Sequence, residues 1–191
     1  MAQRTKSRSG RGARQRILAA AAELFYREGI NATGVERLAT ESSVSKRTLY
    51  QHFPSKAAVV EAYLRNIEPR VANPLAPPAA DLTPREQLLA LFQAPAGRGA
   101  PLRGCPFHNA AVEAAGSMPA VQEIVRANKH KFIDAVTEVA TQAGAPDPRL
   151  LANQLAVLYE GAASLATSLN DASAWDQART AAETLIDAAL A

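Results

Sequence analysis

Apolar residues recur at three- and four-residue spacing along most of this chain. No alternating strand pattern and no internal repeat stands out, so the pattern predicts an all-α fold of about nine helices. From about Arg11 to Glu28, the residues Ile17, Leu18, Ala21, Leu24 and Phe25 form one apolar stripe, which Gly29 terminates. Val35, Leu38 and Ala39 mark a short second helix, with Thr33 placed to cap it. Ser42 and Ser43 suit a turn, after which Val44 and Leu49 anchor a third helix that Ser45 caps and Pro54 stops. Ser55 opens a fourth helix carrying Val59, Ala62, Tyr63 and Ile67 and ending near Glu68-Pro69. A Pro-rich break at 73–78 follows. Thr83-Pro84-Arg85-Glu86 reads as a capping box that starts a helix with Leu88, Leu89, Leu91 and Phe92. Residues 94–104 are a Pro/Gly-rich loop, and a helix follows from about Cys105-Pro106 to Ala115. Met118-Pro119 opens a long amphipathic helix through Val139. Gly144 to Pro148 stops and restarts the chain with Asp147 as cap, and two Ala/Leu-rich helices cover roughly 148–169 and 174–190.

Composition changes this picture in two ways. Aromatic residues make up only 5% of the chain, which argues against an aromatic-rich β architecture. The net charge of +3 hides an asymmetry: residues 1–56 hold 11 Lys/Arg against 4 Asp/Glu, which leaves 10 against 14 for the rest. A basic front and an acidic back fit a chain that presents one end to a polyanion. Residues 1–10 are small, polar and basic, the composition of a disordered arm able to settle on phosphates. No apolar run reaches the length of a membrane span and no signal core follows the N-terminal arginines, so a cytoplasmic location is expected. Cys105 is the only cysteine, which excludes an internal disulfide.

The segment 33–56 carries the chemistry. Two short helices joined by a polar turn, the second studded with basic and hydroxyl side chains, have the order of elements of a helix-turn-helix. An ordinary helical hairpin with solvated charges has the same charges but not that order. Lys56 at the positive end of the fourth helix suits a bound anion.

The stretch from about Arg14 to Tyr63 resembles the TetR/AcrR family of transcriptional repressors. The matching words are Arg16-Ile17-Leu18, Ala22-Glu23-Leu24-Phe25, Gly29-Ile30, Val44-Ser45-Lys46, Thr48-Leu49-Tyr50 and His52-Phe53-Pro54-Ser55-Lys56. The resemblance implies an all-α homodimer that binds a double-stranded DNA operator and is released by a small-molecule inducer. The domains would be a basic arm over 1–10, a helix-turn-helix domain over 11–56, and a ligand-binding and dimerisation domain over 57–191. By the same resemblance Thr33, Ser45, Tyr50 and Lys56 match phosphate-contacting positions, which orient a protein on DNA without reading sequence. Lys46, Arg47, Thr48 and His52 are the candidates for base edges, with Arg47 equally suited to a phosphate. Three departures stand out. Ser42-Ser43 replaces a frequent Ala-Gly, Arg47 stands where a small residue is frequent, and Gly34 replaces a second hydroxyl residue. Arg103-Gly104-Cys105-Pro106-Phe107 resembles a branch of the family that responds to drug-like, phenolic or electrophilic compounds.

Further along, Cys105, Asn109 and Glu113 recur every four residues and His108 lies one turn from Cys105. On a regular helix they form a polar stripe able to border a ligand pocket. Phe92, Phe107 and Tyr159 are candidate pocket walls, as plain core residues would also be. Spacing does not support a metal site, since His108 and Glu113 lie about 140° apart on a helix. No cofactor is expected. With no Gly-rich phosphate loop, metal-spaced His/Cys set or nucleophile elbow, enzymatic chemistry is not expected either. Ala162, Ala163, Ala166, Leu155, Leu158 and Leu165 are the expected contacts of a dimer built from the last two helices. Two further readings remain open: a DNA-binding regulator with no small ligand, and a redox or electrophile sensor acting through Cys105.

Overall fold

The computed structural model describes residues 6–71, 82–94 and 103–191. Among these, all regular structure is helical. The order is α1 (Lys6–Arg27), α2 (Val35–Glu41), α3 (Lys46–His52), α4 (Lys56–Val71), α5 (Pro84–Ala90), α6 (Pro106–Glu113), α7 (Pro119–Gln142), α8 (Pro148–Leu169) and α9 (Ser173–Leu190). The Pro-rich break at 73–78, Met1–Thr5 and most of the expected loop at 94–104 lie outside the described residues.

Two boundaries differ from the sequence pattern. Helix α1 begins at Lys6 and takes in residues 6–10, which composition assigns to an arm. Once a helix is nucleated each added residue gains a hydrogen bond, so a polar extension needs no apolar face of its own. Helix α4 runs past Pro69 to Val71. The proline falls in its last turn, where only a few backbone bonds remain to be lost.

The described residues fall into two compact units. The first comprises the chain up to Pro69 together with Pro106–Val125, and so holds α1 to α3, most of α4, α6 and the start of α7. Its core is built from Ile17, Ala21, Leu24, Leu38, Leu49, Phe53, Val59, Val60 and Leu64, all buried. The Phe25 and Tyr63 rings meet edge to face at 5.5 Å, joining α1 to α4. Arg14 lies 5.2 Å over the Phe53 ring.

The second unit comprises Arg70–Cys105 and Arg126–Ala191. Here α8 and α9 pack along one another, and the rest of α7 and α5 join the same hydrophobic cluster, with Phe92, Phe132, Trp175 and Ile186 at its heart. The capping box at Thr83 forms as expected: its hydroxyl accepts from the Glu86 amide and the Glu86 carboxylate accepts from Thr83. Asp147 likewise caps α8 through the Leu150 amide. Arg85 fixes α5 to α9 through Glu183 and Asp187.

Candidate nucleic-acid interface and a buried polar cluster

The turn between α2 and α3 is made by two serines. Ser43 takes a left-handed conformation, φ 51°, where glycine is favoured and most residues are strained. Ser42 is buried, its hydroxyl donates back to the Leu38 carbonyl, and its own carbonyl accepts from Arg16 Nε at 3.0 Å. The turn therefore hangs on α1.

Ser45 caps α3 as the sequence predicts, accepting the Thr48 amide at 3.0 Å, and its hydroxyl lies 2.9 Å from that of Thr48. Leu49 alone of the α3 residues is fully buried, which turns the remaining face outward. Lys46, Arg47 and Tyr50 are exposed, whereas Thr48 and His52 are half-buried. Tyr50 is therefore not a core residue. Lys46 pairs with Glu36 of α2, which holds the Glu36 carboxyl below its ordinary value and the Lys46 ammonium above its own.

Thr33 is a correction. It is completely buried and its hydroxyl donates to the Gly29 carbonyl at 2.7 Å. Gly34 is the residue at the cap position of α2, with no side-chain bond. A hydroxyl so placed locks the α1–α2 loop and reaches neither the helix end nor a phosphate. Lys56 stands at the first position of α4, behind the capping Ser55, and is half-buried. Its ammonium donates to the Asn31 carbonyl at 3.4 Å, and burial lowers its pKa while Glu113 partly offsets that shift.

Glu113 was expected in a ligand-facing stripe, and the structure places it elsewhere. Its carboxylate accepts the Asn31 amide at 2.7 Å and its carbonyl accepts the Asn31 side chain at 3.1 Å. Gly29, φ +97°, leaves room for it, since a Cβ there would come within 3.2 Å of the carboxylate. Helix α6 is thus latched to the loop that precedes α2. The rest of the stripe divides too. Helix α6 starts at Pro106, so Cys105 lies outside it and belongs to the second unit. Buried Phe107, exposed His108 and half-buried Asn109 belong to the first.

Phe92, Cys105 and Tyr159 fall together in the second unit. Phe92 is buried in the same cluster against which Tyr159 packs. The Tyr159 ring lies 5.0 Å from Phe132 and 5.2 Å from Trp175. Burial first, then the nearby Cys105 and Glu160, push the Tyr159 phenol up to about 12. Lys129 donates to Glu160 and lies 3.5 Å from Cys105 Sγ. The sequence reading missed Lys129 and Asn31 because each acquires its role from a partner 24 or more residues away. Among the described residues no group of three His, Cys, Asp or Glu side chains could hold a metal ion.

The expected dimer contacts divide: Leu158 is half-buried and Leu165 exposed, as a contact requires, and the other four are not. Leu155, Ala162, Ala163 and Ala166 are buried within the unit itself. The residues of α8 left exposed are Leu150, Val157, Leu165 and Leu169, and Gly161 between them has open space where a side chain would stand.

The family model for the N-terminal region of the tetR family of bacterial regulatory proteins matches residues 17–63, and that for the tetracycline repressor-like C-terminal domain matches 84–182. The chain belongs to the tetR family. Its regulators are DNA-binding proteins without enzymatic activity. A tetR-type regulator of Streptomyces avermitilis is 33% identical, with 93% of this chain and 97% of that one aligned and a TM-score of 0.74. A tetR-family regulator of Streptomyces coelicolor is 26% identical over 94% of this chain and 97% of its own, with a TM-score of 0.82. The HTH-type transcriptional activator FasR of Mycolicibacterium smegmatis is 42% identical over 60 residues, 31% of this chain. That match spans only 26% of the activator's length. No helix among the described residues is long and apolar enough to cross a membrane.

Proposed function

We propose that this tetR-family regulator is a repressor that binds a palindromic operator as a homodimer and leaves it when a small hydrophobic or aromatic inducer binds. The observation that carries the DNA-reading part is the outward face of α3, where Lys46, Arg47 and Tyr50 are exposed on a helix anchored by Leu49. Seven residues read few base pairs, so two copies are needed for an operator. Dimerisation is supported by the exposed apolar stripe on α8 and by a shallow hollow of about 360 Å³ beside it, lined by Asn153, Gln154, Val157, Leu158 and Leu185. The aromatic cluster of Phe92, Phe132, Tyr159 and Trp175 supports an apolar inducer. An inducer acts only if it binds the DNA-incompetent state more tightly.

Selecting bound fragments from genomic DNA with the purified protein, then measuring release by compounds suggested by the adjacent genes, tests this reading. Sequence-selective binding with release supports it, and binding equal on all DNA contradicts it. A second reading, a sensor acting through Cys105, is favoured by the ammonium of Lys129 at 3.5 Å from Sγ. Cys105→Ser abolishes an oxidant response under that reading and barely matters under the first.

A further inference from the structure

Three contacts converge on Asn31, in the loop between α1 and α2. Its backbone N–H donates to the Glu113 carboxylate at 2.7 Å, and its side-chain amide donates to the Glu113 carbonyl at 3.1 Å. Its own carbonyl accepts from the Lys56 ammonium at 3.4 Å. Glu113 is the last residue of α6, where a helix leaves carbonyls without intrahelical partners, so the Asn31 side chain caps α6 from another element. Lys56 is the first residue of α4. One exposed loop residue thus joins the end of α6 to the start of α4 within the first unit.

The loop around Asn31 is well anchored. Ile30 and Thr33 are buried, and the Thr33 hydroxyl ties the loop to the Gly29 carbonyl. The Glu113 carboxylate lies against Gly29, where a Cβ would come within 3.2 Å of it. The Asn31 carbonyl therefore stands at a fixed place, and among the described residues it is the only hydrogen-bond acceptor for Lys56. An ammonium carries three donors, so two remain for a further acceptor. Burial lowers the Lys56 pKa, and the Glu113 charge offsets part of that shift. The same carboxylate thus fixes the loop and helps to keep the ammonium charged.

Resting on the reading of the chain as an operator-binding regulator, we propose that Glu113 and Asn31 are positioning residues for DNA binding, which hold the Lys56 ammonium for a backbone phosphate. The carboxylate fixes Asn31, Asn31 orients Lys56, and of the three only Lys56 touches the nucleic acid. Charge counting alone predicts the opposite sign: removing an acid from a DNA-binding unit ordinarily tightens binding to a polyanion. Here removing it weakens binding. A phosphate carries no sequence information, so the loss falls equally on operator and random DNA.

A double-mutant cycle on the full chain tests this route. The probes are an operator fragment selected from genomic DNA and a random duplex of equal length, titrated by anisotropy at several salt concentrations. Lys56→Met keeps the apolar stem, and should weaken both probes about tenfold and lower the salt slope by about one. Glu113→Ala should weaken both about fivefold when Lys56 is present, and by less than about twofold in the Lys56→Met background. Asn31→Ala, which loses only the bond to the α6 carbonyl, should fall between wild type and Glu113→Ala, and it carries the cycle if Glu113→Ala does not fold by circular dichroism. A merely structural latch would lower affinity by the same factor in both backgrounds, or change the ratio of operator to random binding. Either result overturns the proposal, as does unchanged or tighter binding by Glu113→Ala and Asn31→Ala. Wild-type affinity in Lys56→Met overturns it too and leaves the operator reading standing. Wild-type protein that binds both probes equally contradicts the operator reading instead, and the cycle on random DNA still decides the route.

Discussion

Ser43 is strained by about 1–2 kcal/mol in its left-handed conformation, and glycine would relieve that at some cost in unfolded-chain entropy. Ser43→Gly should therefore stabilise the protein by about 0.5–1 kcal/mol, read as a raised Tm, while Ser43→Val should lower it. A lower Tm for the glycine variant would mean that the serine makes an interaction outweighing the strain. On α3, we propose that exposed Arg47 reads a base edge. Arg47→Ala should cost about 1–3 kcal/mol on the operator and relax preference at one base pair per half-site. An equal loss on random DNA would assign the side chain to the backbone. Thr33 and Tyr50 show where single residues were and were not legible. Tyr50 follows the helical pattern outward, but a buried hydroxyl bonded to Gly29 looks in sequence like one ready to cap a helix.

The helices themselves were largely legible, because local capping chemistry writes their ends. Thr83-Pro84-Arg85-Glu86, Asp147-Pro148 and Ser45 all cap as their types and spacing imply. The capping box also has a pH consequence. Glu86 has its carboxyl pKa lowered from 4.5 by Thr83, so its contribution is present above that pH and fades as pH falls through the lower folded value. Glu86→Gln should flatten this part of the acid limb of a Tm–pH profile, and an unchanged limb would show that the box contributes nothing measurable. What local chemistry cannot write is which helix a polar end meets. Glu113 lies 82 residues from Asn31, and its role as a latch is visible only in the fold. Glu113→Ala should loosen the α1–α2 loop and weaken operator affinity several-fold, while Glu113→Gln, which keeps an acceptor, should recover part of it. Anisotropy titrations with operator DNA separate the two, and wild-type affinity in both would show that the latch does not support DNA binding.

At the level of the whole molecule, charge asymmetry and the front-end motif pointed to DNA, and the family matches agree. The proposed self-association surface was less legible. Apolar periodicity marks both faces of α8 alike, and only burial separates the inner Ala162, Ala163 and Ala166 from the outer Val157 and Leu165. Val157→Arg should give a folded monomer that loses operator affinity. Ala166→Arg should instead destabilise the unit, because it forces a charge into packed core. Sedimentation and circular dichroism distinguish these outcomes, and a dimeric Val157→Arg protein would place the interface elsewhere. The central claim is that two copies of α3 read one operator, and footprinting on a selected genomic fragment tests it most directly. The account predicts a protected inverted repeat whose half-sites are centred about 34–36 Å apart, or a multiple of that. Protection of one asymmetric half-site, or none above random DNA, would contradict it.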